Sequence, residues 1–410
     1  MRWKVLALLV AATMVNYLDR LLLSVLSPVL RDYFHFSERL YGVVTGAFQI
    51  AYAVGFLVLG RWVDRVGTKT GLAVAAAAWS VASLLHATVT GAAQFGVWRT
   101  MLGFFEGAIF PSCTKAISEW FPQEERALAT GIFNAGVNAA SVIAPPIFIA
   151  LSALYGWRAC FVGVSSLGFL WLFMWGKVYR SPSTLAPKAH ETITIRCALS
   201  YRQARGFILG KILVDPSFFF MLFWLPLYFR DVRKLEMSQI GWALPWIYFV
   251  SGLGSIIAGW SSGFAMRNGW TKRRARIFTM LVCAVIVPSA IAVAMGGSVL
   301  RTVLFFSVAA GAHQAFSSLA YTTPGDVFPA AAVGTVQGLG GFAGAMSSVI
   351  FSAVIPGYLI PLFGYTPILI VLSFGYLAAV LVYATAFGNF NPVHIAVPLA
   401  DSSAALAESA

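Results

Sequence analysis

Apolar runs long enough to cross a membrane follow one another along almost the whole of the 410-residue chain. A spanning helix needs about 20 predominantly apolar residues. Twelve runs meet that need, at 5–29, 41–62, 70–89, 95–117, 127–151, 157–179, 207–229, 239–263, 276–295, 300–320, 333–360 and 365–388. The longest polar interruption, Arg180 to Gly206, follows the sixth. The pattern predicts an all-α membrane protein of twelve transmembrane helices in two pseudo-symmetric six-helix halves. These are 1–179 and 207–389, joined by a linker at 180–206 and followed by a tail at 390–410 expected to be disordered.

Several landmarks repeat between the halves. A shift of 207 carries Phe121-Pro122 onto Phe328-Pro329 and Gly131 onto Gly338, and a shift of 208 carries Gly156 onto Gly364. Six-helix halves in parallel register are how one class of secondary transporter is built, with its binding site at the midplane between them.

Composition narrows the function. The chain is 59% hydrophobic and only 10% charged, against about a quarter charged in soluble domains. Its net charge of +13 is gathered in particular loops. With the N-terminus placed in the cytoplasm, eighteen Lys and Arg fall inside and seven outside, as membrane orientation requires. Both termini are then expected on the cytoplasmic side, in a cell inner membrane. No basic stripe interleaved with aromatics suggests nucleic acid, and the four cysteines lack metal or redox spacing. No phosphate-binding Gly-x-x-x-x-Gly-Lys-Ser/Thr loop is present, so a primary pump is not expected. The five histidines are too scattered for a hydrolytic or metal centre. Neither an enzyme nor a bound cofactor is expected, and the chain is read as a monomer in the lipid bilayer.

Charges inside the spans carry the candidate chemistry. Asn16-Tyr17-Leu18-Asp19-Arg20 lies within the first run. Each intramembrane charge costs roughly 2.5–3.5 kcal/mol on insertion scales and usually faces protein or a watery cavity. Helix neighbours point about 100° apart, so Asp19 and Arg20 each need further partners. In the fourth run Arg99, Gly103 and Glu106 share one helical stripe. Counting residues puts Asp19 and Arg99 at one depth, where they could pair, and Glu106 deeper. A carboxylate in apolar surroundings can carry a proton near neutral pH, which makes Asp19 and Glu106 the proton candidates. Lys211 and Asp215, four apart, share a face and are expected to neutralise each other, with a substrate or gating role as the alternative. Trp224, Trp242 and Trp246 are expected to face lipid or the interface.

The stretch Gly60-Arg61-Trp62-Val63-Asp64-Arg65-Val66-Gly67-Thr68-Lys69 resembles the signature of the major facilitator superfamily, Gly-x-x-x-Asp-Arg-x-Gly-x-Lys/Arg. The resemblance implies a cytoplasmic gate held by Gly60, Asp64, Arg65, Gly67 and Lys69. Its second-half counterpart, Gly259 to Arg276, is degraded, with Gly263 where the aspartate would fall.

Tyr17-x-Asp19-Arg20, Arg99 with Glu106, Pro111, and Glu119-Trp120-Phe121-Pro122-x-x-Glu125-Arg126 resemble the anion:cation symporter family within that superfamily. Its members include sialic acid, galactonate and hexuronate carriers. The resemblance implies proton-coupled uptake of an acidic sugar, with Arg20 holding the carboxylate and Tyr17 and Tyr52 the hydroxyls. Asp19, Arg99 and Glu106 would couple protons. Gly311-Ala312-His313-Gln314-Ala315-Phe316-Ser317, Asp326-Val327-Phe328, Phe133-Asn134 and Ala144-Pro145-Pro146 are most similar to hexuronate transporters, which adds Asn134, His313 and Gln314. The 207 shift maps Glu106 onto His313, so each half offers a polar group at the midplane; a packing role for His313 stays open. The alternatives are a symporter of another organic anion, such as an aldonate or aromatic acid, and a membrane sensor that does not transport.

Overall fold

The computed structural model describes residues 1–34, 38–181, 193–235 and 237–393. These form sixteen α-helices. In the first half they are α1 (Arg2–Val25), α2 (Ser27–Phe34), α3 (Glu38–Val66), α4 (Thr68–His86), α5 (Ala92–Glu106), α6 (Ile109–Trp120), α7 (Gln123–Tyr155) and α8 (Trp157–Val178). The short α9 (Ile195–Ser200) precedes α10 (Arg202–Asp231), α11 (Met237–Arg267), α12 (Lys272–Ile286), α13 (Val299–Val327), α14 (Ala330–Ser348), α15 (Ile355–Phe363) and α16 (Thr366–Phe387).

Twelve crossing units emerge once interrupted helices are joined. Nine helical stretches among the described residues are long and apolar enough to cross alone. The other three depart from the pattern for visible reasons. The fourth unit breaks at Gly107-Ala108 into α5 and α6. The seventh, α10, carries Lys211 and Asp215. The eleventh runs from α14 through a π-helical turn, Val349–Val354, into α15. That turn is tied to α10: Ser352 donates to the Pro216 carbonyl at 2.6 Å, and Trp224 donates to the Ser352 carbonyl at 2.7 Å. Trp224 is therefore engaged within the protein, whereas Trp242 and Trp246 are exposed as expected.

The internal repeat holds in three dimensions. Phe121 and Phe328 are both extended at helix ends, and Pro122 and Pro329 both cap the helix that follows. Gly156 and Gly364 both take positive φ, 80° and 71°, a conformation that favours glycine. Gly131 and Gly338 both lie against backbone of the opposite half, where an added Cβ would sit 2.2 Å from the Ser255 carbonyl or 2.4 Å from that of Phe56.

Across the halves, α3 packs on α14 and α7 on α11. One apolar core fills the first half and takes in Tyr321 from α13, while a core of the second half takes in Ala127 from α7. Both ends of the described chain lie at one face, here the terminal face. There Arg2 pairs with Glu125 at 2.9 Å, and Val393 N–H donates to the Val327 carbonyl at 2.8 Å. Phe390 is buried, so residues 390–393 stay attached. The rest of the tail, 394–410, and residues 182–192 of the linker lie outside the described residues.

Candidate functional site

A central cavity with about 560 Å³ of empty space, counting its mouth, opens between the halves. The first half contributes Tyr17 and Arg20 from α1, Tyr52 from α3, Phe110 from α6 and Asn134 from α7. The second contributes Asp215, Phe218 and Phe219 from α10, and His313, Gln314, Ser317 and Tyr321 from α13. All six residues expected to contact substrate are thus brought to one cavity.

Arg20 is its exposed cation. Its Nη2 and Nε donate to Glu106 Oε2 at 3.0 and 3.3 Å. Its guanidinium lies 4.1 Å from the ring centre of Tyr52 and 4.6 Å from that of Tyr17, within cation–π range. The side chain is 14% exposed while Glu106 is fully buried. Glu106 ends α5 just before the break, and the close approach of α5 to α3 sets its position. A Cβ on Gly103 would meet the Phe48 carbonyl at 2.6 Å.

Arg99 and Asp19 meet differently from the side-chain pair the sequence suggested. Arg99 donates to the main-chain carbonyls of Asp19 and Arg20, at 3.1 and 2.9 Å, and its guanidinium lies 4.4 Å from the ring centre of Phe48. It braces the α1 backbone from which Arg20 projects. The Asp19 carboxylate accepts a hydrogen bond from the Ser83 hydroxyl, and its Oδ2 is buried without a hydrogen bond among the described residues. Glu106 Oε1 is likewise buried and without one. Two acidic groups near one cavity thus each keep a spare oxygen, where a proton could be accommodated.

On the other wall, His313 Nδ1 is bonded to the Tyr376 hydroxyl, and its ring stacks near Phe218. Asn134 Nδ2 donates to Ser318 Oγ at 3.0 Å, joining the halves. Lys211 and Asp215 pair at 2.7 Å, and Lys211 Nζ lies 3.8 Å from the Tyr321 ring centre. Sequence reasoning missed Ser317 and Tyr321, yet both follow His313 at helical spacing of four and eight. Phe218 and Phe219 carried no such signal.

The signature stretch lies where the halves meet at the terminal face. Asp64 accepts from Gly334 N–H at 3.0 Å and from Thr335 N–H and hydroxyl at 2.6 and 2.7 Å, at the start of α14. Gly60 lets α3 approach the Gly334 carbonyl, where a Cβ would lie at 2.5 Å, and Gly67 turns the chain at φ 84°. Arg65 is exposed, and Lys69 offers its carbonyl to Trp175 at 3.1 Å. The cation that holds Asp64 is instead Lys115, at 2.9 Å, both side chains being almost fully buried. Lys115 was counted among the loop charges; it is a structural ion pair.

In the second half, Gly263 stands against the Glu124 carbonyl, where an aspartate would clash. The charge comes from α13: Asp326 accepts from Arg276 Nε at 2.9 Å and lies 4.0 Å from Arg126. Arg276 also reaches Ser262 and the Gln123 carbonyl, at 2.8 and 3.0 Å.

Two pseudo-symmetric helix bundles, tightly joined at one face and enclosing between them a cavity lined by aromatic and polar side chains, define a multi-pass membrane transporter. The Major Facilitator Superfamily profile matches residues 9–352, and the chain belongs to that family. It is 27% identical over 420 residues to a hexuronate transporter of Escherichia coli, covering 97% of this chain and 96% of that protein. It is 24% identical over 418 residues to a D-galactonate transporter of Escherichia coli, covering 96% and 97%. Among solved structures it is similar to a proton:xylose symporter bound to 6-bromo-6-deoxy-D-glucose. The TM-score is 0.74 with 16% identity, over 93% of this chain and 94% of that one.

Proposed function

We propose that the protein is a proton-coupled symporter of a sugar-acid monoanion, a hexuronate such as glucuronate or galacturonate, across the cytoplasmic membrane. The observation that carries this reading is Arg20, a guanidinium that faces a cavity rich in tyrosine and amide groups while its counter-charge is buried behind it. Its planar fork suits a carboxylate, and Tyr17, Tyr52, Asn134, His313 and Gln314 can hydrogen-bond hydroxyls. The hexuronate and galactonate relatives support the substrate class.

Coupling follows from competition for Arg20. An incoming carboxylate that takes the guanidinium leaves Glu106 buried without its partner, an arrangement expensive in a dry site. A proton on Glu106 restores neutrality. Asp19 supplies a second protonatable site, so two protons per anion would move one net positive charge inward. That charge gains about 2.3 kcal/mol per 100 mV. Alternating access would exchange the closed terminal face, read as cytoplasmic, for a closed opposite face. The contacts of Asp64 with α14, of Arg276 with the Gln123 carbonyl and of Arg126 with Asp326 would let go in the exchange.

The test is uptake into proteoliposomes of labelled hexuronates, aldonates and an aromatic acid, with and without an inward proton gradient. Wild type should accumulate a hexuronate only with the gradient and give an inward positive current. Glu106→Gln should still bind or exchange substrate but lose gradient-driven accumulation, since glutamine mimics the protonated acid. Normal concentrative uptake by Glu106→Gln would remove Glu106 from the proton path, and absence of current in wild type would reject the two-proton scheme.

A further inference from the structure

The two ion pairs at the cavity are built in opposite senses. In the first half the cation faces the cavity and the carboxylate is buried: Arg20 is 14% exposed and Glu106 0%. In the second half the cation is buried and the carboxylate faces in: Lys211 is 2% exposed and Asp215 14%. The Tyr321 ring, also part of the cavity wall, covers the lysine ammonium at 3.8 Å. Lys211 engages Asp215 Oδ1. The other oxygen, Oδ2, is given its room by Gly344, where a Cβ would lie only 2.1 Å away. The cavity therefore presents a guanidinium on one wall and a carboxylate on the other.

A carboxylate in a site for an anion is a selective feature. Ionised, it only accepts hydrogen bonds, so it welcomes hydroxyl donors and repels a second negative charge. We propose that Asp215, held by Lys211, is a specificity-determining residue. It accepts hydroxyls at the end of the substrate remote from Arg20 and excludes a carboxylate there. The site then takes polyhydroxy monoacids in one orientation and rejects the corresponding diacids. This rests on the reading of Arg20 as the anchor for an organic anion.

The experiment compares a hexuronate with the aldarate of the same sugar, which carries a carboxylate at both ends, in competition binding to the purified full-length protein. In wild type the diacid should bind about tenfold or more weakly, since like charges placed together oppose binding strongly. Asp215→Asn should narrow the difference to within about threefold. Because that variant leaves Lys211 buried without its partner, the double variant Lys211→Met, Asp215→Asn is measured beside it and should narrow the difference too. Equal binding of both acids by wild type overturns the proposal. So does a wild-type ratio in a variant that still binds the hexuronate, or a parallel loss of both acids in both variants. Wild-type protein that binds neither acid overturns the Arg20 reading, and this proposal with it.

Discussion

Arg20 does two things that a lysine could not do together. It donates through two nitrogens to one oxygen of Glu106 and brings its guanidinium within cation–π range of both Tyr17 and Tyr52. A compact ammonium gives a point charge without the planar face or the fork. Arg20→Lys should weaken substrate binding at least about tenfold in a calorimetric or competition assay. Its melting temperature should stay near that of wild type, because Glu106 keeps a cation within reach. Wild-type affinity in this variant would transfer the anchoring role elsewhere. Asp19 and Arg20, adjacent in the chain, have separate partners, Ser83 and Glu106. Their divergence was expected from helix geometry; the identity of Ser83 was not, since one serine among many carries no mark of its neighbours.

Between helices, small residues decide how closely backbones approach, as in membrane bundles generally. The α7–α11 contact depends on Gly131, whose missing Cβ leaves room for the Ser255 carbonyl, while the Ser255 hydroxyl donates to the Gly131 carbonyl at 2.8 Å. Gly131→Leu forces side-chain volume into that contact, and overpacking of this kind costs about 1–3 kcal/mol. The variant should insert normally and yet lose most of its transport. Spin labels on the terminal ends of α7 and α11 should move apart by a few ångströms, about the depth of the added side chain. Unchanged label distances with full transport would show that this contact tolerates bulk. The interruptions of the fourth and eleventh units belong to the same scale. Hydrophobic pattern alone draws each as one helix, because a break at Gly107-Ala108 or a π-helical turn leaves the apolar composition intact.

At the scale of the whole molecule the terminal face is closed by charges that are themselves buried. Asp64 bridges Lys115 in its own half and the start of α14 in the other. Removing one partner of a buried pair commonly costs about 3–5 kcal/mol, whereas replacing both can be close to neutral. Asp64→Asn should therefore lower the melting temperature in detergent by more than the double variant Asp64→Asn, Lys115→Leu. Transport should fall in both, since each loses the anionic contact to α14. A single variant as stable as the double would mean that Lys115 finds another partner or solvent.

From the sequence alone came the twelve crossings, the six-plus-six repeat, the signature stretch and the six residues now seen around one cavity. The crossings and the repeat rest on local regularities, apolar length and a repeated turn, and Arg20 stands out as an ionisable group where lipid forbids one. The signature stretch and the other five cavity residues were legible through the resemblance of their motifs to a known family. Only the tertiary structure decided the partners. It gave Glu106 to Arg20, turned Arg99 onto main-chain carbonyls, made Lys115 and Arg276 buried ion-pair members, and set Asp215 against the cavity with Lys211 behind it. A charge in a helical sequence shows that it must be satisfied. Which charge satisfies it depends on how helices far apart in the chain are packed side by side, because pairing is decided over a few ångströms between neighbouring helices.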